Sequence, residues 1–186
     1  MTTTKFNGQP VNVSGCLLAA GAVAPEFRLV KGDLTDFTLA DCKGKRVVMN
    51  IFPSLDTGVC AASVRKFNQL AASMPDTLVL CISRDLPFAQ SRFCVAEGID
   101  NVVVLSDFRR DSSFGEDYGV QMVDGPLAGL LARAVVVINP QGKVSYSRMS
   151  PEITEEPDYS DALSSECDNH AHKNNSPALC SCSTKV

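Results

Sequence analysis

From Arg46 onward the chain alternates short apolar runs with stretches of helical period, and this pattern narrows the possible folds more than any other feature. Arg46–Phe52 reads as an apolar strand. Val59–Ser73 carries Val59, Val64, Phe67, Leu70 and Ala71 at helical spacing. Leu78–Ser83 reads as a second strand. Leu86–Glu97 reads as a helix, with Asp85 as candidate N-cap and Gly98 just past its end. Val102–Leu105 is a third strand, and Ser112–Tyr118 a short helix. Ala134–Asn139 and Lys143–Arg148 are strands joined by Pro140-Gln141-Gly142, and Pro157–Ser165 is a last helix.

Strand–helix–strand order demands parallel pairing, whereas a three-residue link permits only an antiparallel pair. The expected architecture is therefore α/β: a mixed sheet flanked by helices, as in a thioredoxin-like fold. Thr4–Ser14 reads as an N-terminal β-hairpin turning at Asn7-Gly8. Gly15 to Gly44 reads as loop-rich. Beyond about Ser165 the sequence becomes polar and aperiodic. The expected division is one domain over residues 1–165 and a flexible tail over 166–186.

Composition sets limits on function. The 186 residues are 45% hydrophobic, enough for one sizeable core. Net charge is −4, and residues 151–186 alone contribute −5, so the body is near neutral. Such a balance argues against nucleic acid or a membrane surface as partner. The first ten residues are polar, unlike a signal peptide, and the weakly polar runs Gly15–Pro25 and Gly125–Ile138 are too short to span a bilayer. The expectation is a cytoplasmic protein. In a reducing compartment its eight cysteines are catalytic, metal-binding or plain core residues rather than structural bridges.

Chemistry in such sheets gathers where strands end and helices begin. The first such junction reads Pro53-Ser54-Leu55-Asp56-Thr57-Gly58-Val59-Cys60. With Thr57 or Asp56 as helix cap, Cys60 falls in the first turn, among unpaired N–H groups at the positive end of the dipole. That setting stabilises a thiolate, although most free cysteines are simply small buried hydrophobes. Asp56 would oppose the anion, so it should point away or cap the helix. A Cys–His hydrolase lacks its imidazole, because His170 and His172 both lie in the tail. A Cys-x-x-Cys oxidoreductase is excluded by Thr57 and Ser63. What remains is a lone thiolate aided by a hydroxyl and a cation.

Pro53-x-x-x-Thr57-x-x-Cys60 resembles the active-site signature of the peroxiredoxins. Asp85-Leu86-Pro87-Phe88-Ala89-Gln90-x-Arg92-Phe93-Cys94, Ser106-Asp107-Phe108-Arg109, Gly129–Ala134 and Pro151–Pro157 resemble the thiol peroxidase branch of that family. The resemblance runs from about Phe6 to Leu163. It implies that Cys60 is the peroxidatic cysteine and Cys94 a resolving cysteine in the same chain. It also implies that Thr57 hydrogen-bonds peroxide and thiolate, that Arg133 holds the thiolate and polarises the peroxide, and that Pro53 shields the pocket. The implied activity is reduction of hydrogen peroxide and organic hydroperoxides, with no cofactor and no metal. The implied partners are a hydroperoxide, thioredoxin as reductant, and a second copy in a homodimer. Both cysteines sit in helices, so a bridge between them requires local unwinding.

Other classes stay open at this level. A non-catalytic peroxide sensor or redox relay would use the same Cys60. The tail places Cys167, His170, His172, Cys180 and Cys182 within 16 residues, a set soft enough for zinc or copper, but its spacing matches no closed site. Cys81 reads as core, and Cys16 and Cys42 as incidental.

Overall fold

The computed structural model describes residues 2–164. The N-terminal hairpin pairs β1 (Thr2–Phe6) with β2 (Gln9–Val13). Its two turn residues have φ of 51° at Asn7 and 77° at Gly8, as a two-residue turn of this hand requires. The main sheet holds β3 (Arg28–Lys31), β4 (Asp36–Thr38), β5 (Arg46–Ile51), β6 (Thr77–Ser83), β7 (Val103–Ser106), β8 (Ala134–Ile138) and β9 (Val144–Met149). Their spatial order is β4-β3-β7-β6-β5-β8-β9. The centre, β5, β6 and β7, is parallel; beyond β5, β8 runs antiparallel to it and β9 antiparallel to β8.

Among the described residues four α-helices accompany the sheet: α1 (Gly58–Ala71), α2 (Pro87–Glu97), α3 (Phe114–Asp117) and α4 (Tyr159–Ser164). Period-2 alternation sorts β5 between two cores. Val47, Met49 and Ile51 join Leu80, Ile82, Leu105, Phe114 and Tyr118 on one face. Val48 faces the other way, with Val79, Val137 and Phe67 of α1. Phe52, Leu55, Cys60, Val64 and Cys81 form a smaller cluster at the carboxyl end of β5.

Two expectations need correction. The region read as loop-rich contains β3, β4 and a 3₁₀ turn at Leu39–Cys42. Strands of four and three residues are too short for alternation to show, and β3 enters the sheet through two register positions on β7. Helix α2 is not capped by Asp85. Leu86 occupies the N-cap position with no side-chain bond, and Pro87 starts the helix. The Asp85 carboxylate is taken up elsewhere. The stop at Gly98 is as expected, in the left-handed region at φ 63°. The tail over 166–186, with the domain boundary before it, lies outside the described residues.

Candidate active site

The loop Phe52–Thr57 leaves the carboxyl end of β5 and delivers Cys60 as the third residue of α1. Thr57 is the N-cap by backbone geometry, and its carbonyl accepts the Ala61 N–H at 3.0 Å. Its hydroxyl caps nothing. Oγ1 donates to the Ser54 carbonyl at 3.0 Å and does not bond Cys60 Sγ, unlike the implied thiolate contact. Asp56 is exposed, as its charge requires, and does not cap the helix. Pro53 is buried beside Phe52.

Cys60 is 1% exposed, and so is Arg133. Arg133 directly precedes β8, the strand antiparallel to β5, so the sheet carries it to the mouth of α1. Its Nη2 donates to Cys60 Sγ at 3.2 Å, and its Nε to the Ile153 carbonyl at 2.9 Å. Its Nη1 is buried and has no hydrogen-bond partner. No carboxylate pairs with Arg133 among the described residues. A buried guanidinium is costly without partners, and the side-chain atom that faces it is Cys60 Sγ. Beneath α1, Asn50 Nδ2 donates to Ser63 Oγ at 3.2 Å, and Ser63 Oγ donates to the Cys60 carbonyl at 2.9 Å. A polar Asn inside an apolar strand was the sequence signal for this support.

The hairpin holds Arg133 from behind. Lys5 exchanges backbone bonds with Pro151 and Ile153, and Thr4 Oγ1 donates to the Ser150 carbonyl at 2.8 Å. Glu152 accepts the turn N–H groups of Asn7 and Gly8, and with Thr154 these bonds pull its carboxyl down to about 2. On the other side Arg84 binds Asp107 at 3.0 Å, Gln121 Oε1 at 3.0 Å and the Gly129 carbonyl, bracing the segment that leads to Arg133.

Cys94 is half-buried on α2 and unbonded to Cys60; neither is in a disulfide. Desolvation pushes the Cys94 thiol up from its ordinary value. Cys81, fully buried on β6, is pushed to about 12 by the same cause, and Cys42 to about 11. These two are thiols, not thiolates, near neutral pH. The described residues contain no cluster of His, Cys, Asp and Glu fit to hold a metal. Asp85, expected as a cap, instead accepts Ser54 Oγ and the Leu55 N–H, both at 2.7 Å.

A buried Cys60 thus lies under a buried guanidinium that no carboxylate pairs among the described residues, and the chain that carries this arrangement is similar to known redox proteins. The Redoxin family model matches residues 19–163. The thiol peroxidase of Corynebacterium glutamicum is 53% identical over 163 residues, 88% of this chain and 98% of that protein. The chain belongs to the thiol peroxidase branch of the peroxiredoxins. The thiol peroxidase of Mycobacterium tuberculosis is likewise 53% identical over 163 residues, 88% of this chain and 97% of the relative. A peroxiredoxin-like protein from Aquifex aeolicus superposes with a TM-score of 0.82 at 44% identity, covering 87% of this chain and 93% of its own. The Chromobacterium violaceum thiol peroxidase shares the fold, with a TM-score of 0.79 at 24% identity, covering 87% and 92%. This peroxiredoxin is a thiol-dependent peroxidase. No helix among its described residues is long and apolar enough to cross a membrane.

Proposed function

We propose that the peroxidase works by a two-cysteine cycle within one chain, with Cys60 as peroxidatic and Cys94 as resolving residue. The 3.2 Å contact between Arg133 Nη2 and Cys60 Sγ carries the choice of Cys60, and the family resemblance that of Cys94. The Cys60 thiolate attacks the outer oxygen of a hydroperoxide. The S–O bond forms as the O–O bond breaks, and the alkoxide leaves and takes a proton to become an alcohol. Nη1 of Arg133, buried and unpartnered, is free to donate to the oxygen on which charge develops. Thr57 Oγ1 spends its own proton on Ser54, so toward peroxide it acts as acceptor and orients the O–H. Pro53 walls the pocket from water.

Cys60 is left as a sulfenic acid. The Cys94 thiolate attacks that sulfur, an S–S bond forms, and the S–O bond breaks to release hydroxide, which takes a proton to give water. A dithiol such as thioredoxin then supplies two electrons, leaving both cysteines reduced and its own pair oxidised. The family resemblance further supports organic hydroperoxides as substrates, a homodimer, a cytoplasmic setting, and a catalytic unit over residues 1–165 with 166–186 as an appendage.

Disulfide mapping tests the cycle. Reduced protein receives one equivalent of an organic hydroperoxide, is digested without reductant, and the linked peptides are identified by mass. A Cys60–Cys94 link removed by thioredoxin is expected. Cys60 left reduced, or linked to Cys167, Cys180 or Cys182, overturns the proposal.

A further inference from the structure

The Asp85 carboxylate ties together the segments that carry the two reactive cysteines. Oδ1 accepts Ser54 Oγ at 2.7 Å, and Oδ2 accepts the Leu55 N–H at 2.7 Å; both donors belong to the loop that leads into α1. Oδ2 also accepts Ser83 Oγ at 2.7 Å, at the end of β6. The Asp85 backbone carbonyl accepts Ser106 Oγ from β7, and two residues later Pro87 begins α2. Ser54 passes the hold onward. Its carbonyl takes the Thr57 hydroxyl and the Thr57 N–H, and its Oγ takes the Asp56 N–H. Hydrogen bonds to an ionised carboxylate are the strong kind.

We infer that Asp85 is a positioning residue that holds the Cys60 loop closed for peroxide and sets how readily that loop opens for disulfide formation. The inference rests on the two-cysteine reading above. The two steps make opposite demands. Peroxide attack needs Thr57 and Cys60 set under Arg133. Resolution needs Cys60, 1% exposed, to leave that position and meet Cys94 outside it. A contact that favours the closed loop therefore speeds the first step and slows the second.

The test separates the two steps in Asp85→Asn. Reduced protein is mixed with cumene hydroperoxide and quenched over time. Sulfenic acid is trapped with dimedone, disulfide is counted by mass, and sulfinic acid is scored at excess peroxide. The expected result is sulfenic acid formation slowed roughly tenfold, disulfide formation from the sulfenic acid accelerated severalfold, and a lower yield of sulfinic acid. Ser54→Ala, which removes one donor from the loop side, should move both rates in the same directions by less. In the double variant the two effects should not add. If Asp85→Asn fails to fold, Ser54→Ala carries the test alone. Both steps unchanged, or both slowed together, overturns the role of Asp85. Wild-type protein that forms no Cys60–Cys94 disulfide overturns instead the cycle beneath it.

Discussion

Helix α1 buries Cys60, Ala61, Ser63, Val64 and Phe67, whereas α2 buries Pro87 and Gln90 alone. The first is an amphipathic helix with an apolar stripe against the sheet, and Phe67 packs edge-on to Tyr159 at 5.2 Å. The second has no such stripe. Phe88 is 65% and Val95 86% exposed, and the helix is held by half-buried Phe93, packed against the cluster around Cys60, and by polar contacts: Gln90 Nε2 to the Leu105 carbonyl at 2.9 Å and to Ser83 Oγ at 3.1 Å. Gln90 Oε1 remains buried without a partner. Apolar burial resists opening in proportion to area, but a few hydrogen bonds can be exchanged for water at small net cost. The helix bearing Cys94 is therefore the less firmly anchored of the two by apolar burial.

Substitutions on the two helices should separate them most widely. Phe67→Ala is expected to destabilise by about 3–5 kcal/mol, and Val95→Ala by less than about 0.5 kcal/mol, in urea titrations. Equal losses would break the contrast. The next largest effect belongs to the cation. Arg133→Lys keeps the charge but cannot reach both Cys60 Sγ and the Ile153 carbonyl as the planar fork does. Oxidation of Cys60 should slow about a hundredfold, or ~2.7 kcal/mol, while alkylation of Cys94 by iodoacetamide stays unchanged. A matched fall at both thiols would mean a general collapse of the site.

The third effect is in pH. Because burial raises the Cys94 thiol above its ordinary 9.0, its thiolate fraction is still growing at that pH. The rate of disulfide formation from Cys60 sulfenic acid should keep climbing past pH 9; a plateau below that pH contradicts the half-buried setting. The smallest effect concerns Glu152. Its carboxyl is lowered to about 2 from an ordinary 4.5, so its contribution to stability is present above 4.5 and lost as pH falls toward 2. Glu152→Gln should flatten that acid limb by less than about 1 kcal/mol, since the group is at the surface and screened. It should leave α1 and α2 equally unaffected at pH 7.

The chain announces its parallel centre plainly. Val47–Ile51 and Val79–Ile82 are apolar runs separated by a helix of clear period, and Asn7-Gly8 and Gly98 mark reversals that few other residues allow. What it hides is whatever depends on distant partners. β3 and β4 owe their existence to pairing with each other and with β7, not to their own short sequences. Asp85 looks like a helix cap because its partners, Ser54 and Leu55, lie 31 and 30 positions away. Cys60 and Arg133, 73 positions apart, meet because β8 runs antiparallel beside β5, an arrangement that spacing cannot reveal. Resemblance, not periodicity, was what linked them in the sequence.

The clamp behind Arg133 has a consequence for how the protein is made. Thr4 and Ser150, bonded across 146 positions, and Lys5 with Ile153 join the beginning of the folded unit to its end. During synthesis the guanidinium has no carbonyl at Nε until residue 153 has left the ribosome and settled against the hairpin. A nascent chain thus carries Cys60 before the guanidinium that faces it is seated. The pocket that seats Cys60 under Arg133 is therefore among the last parts of the described fold to be completed.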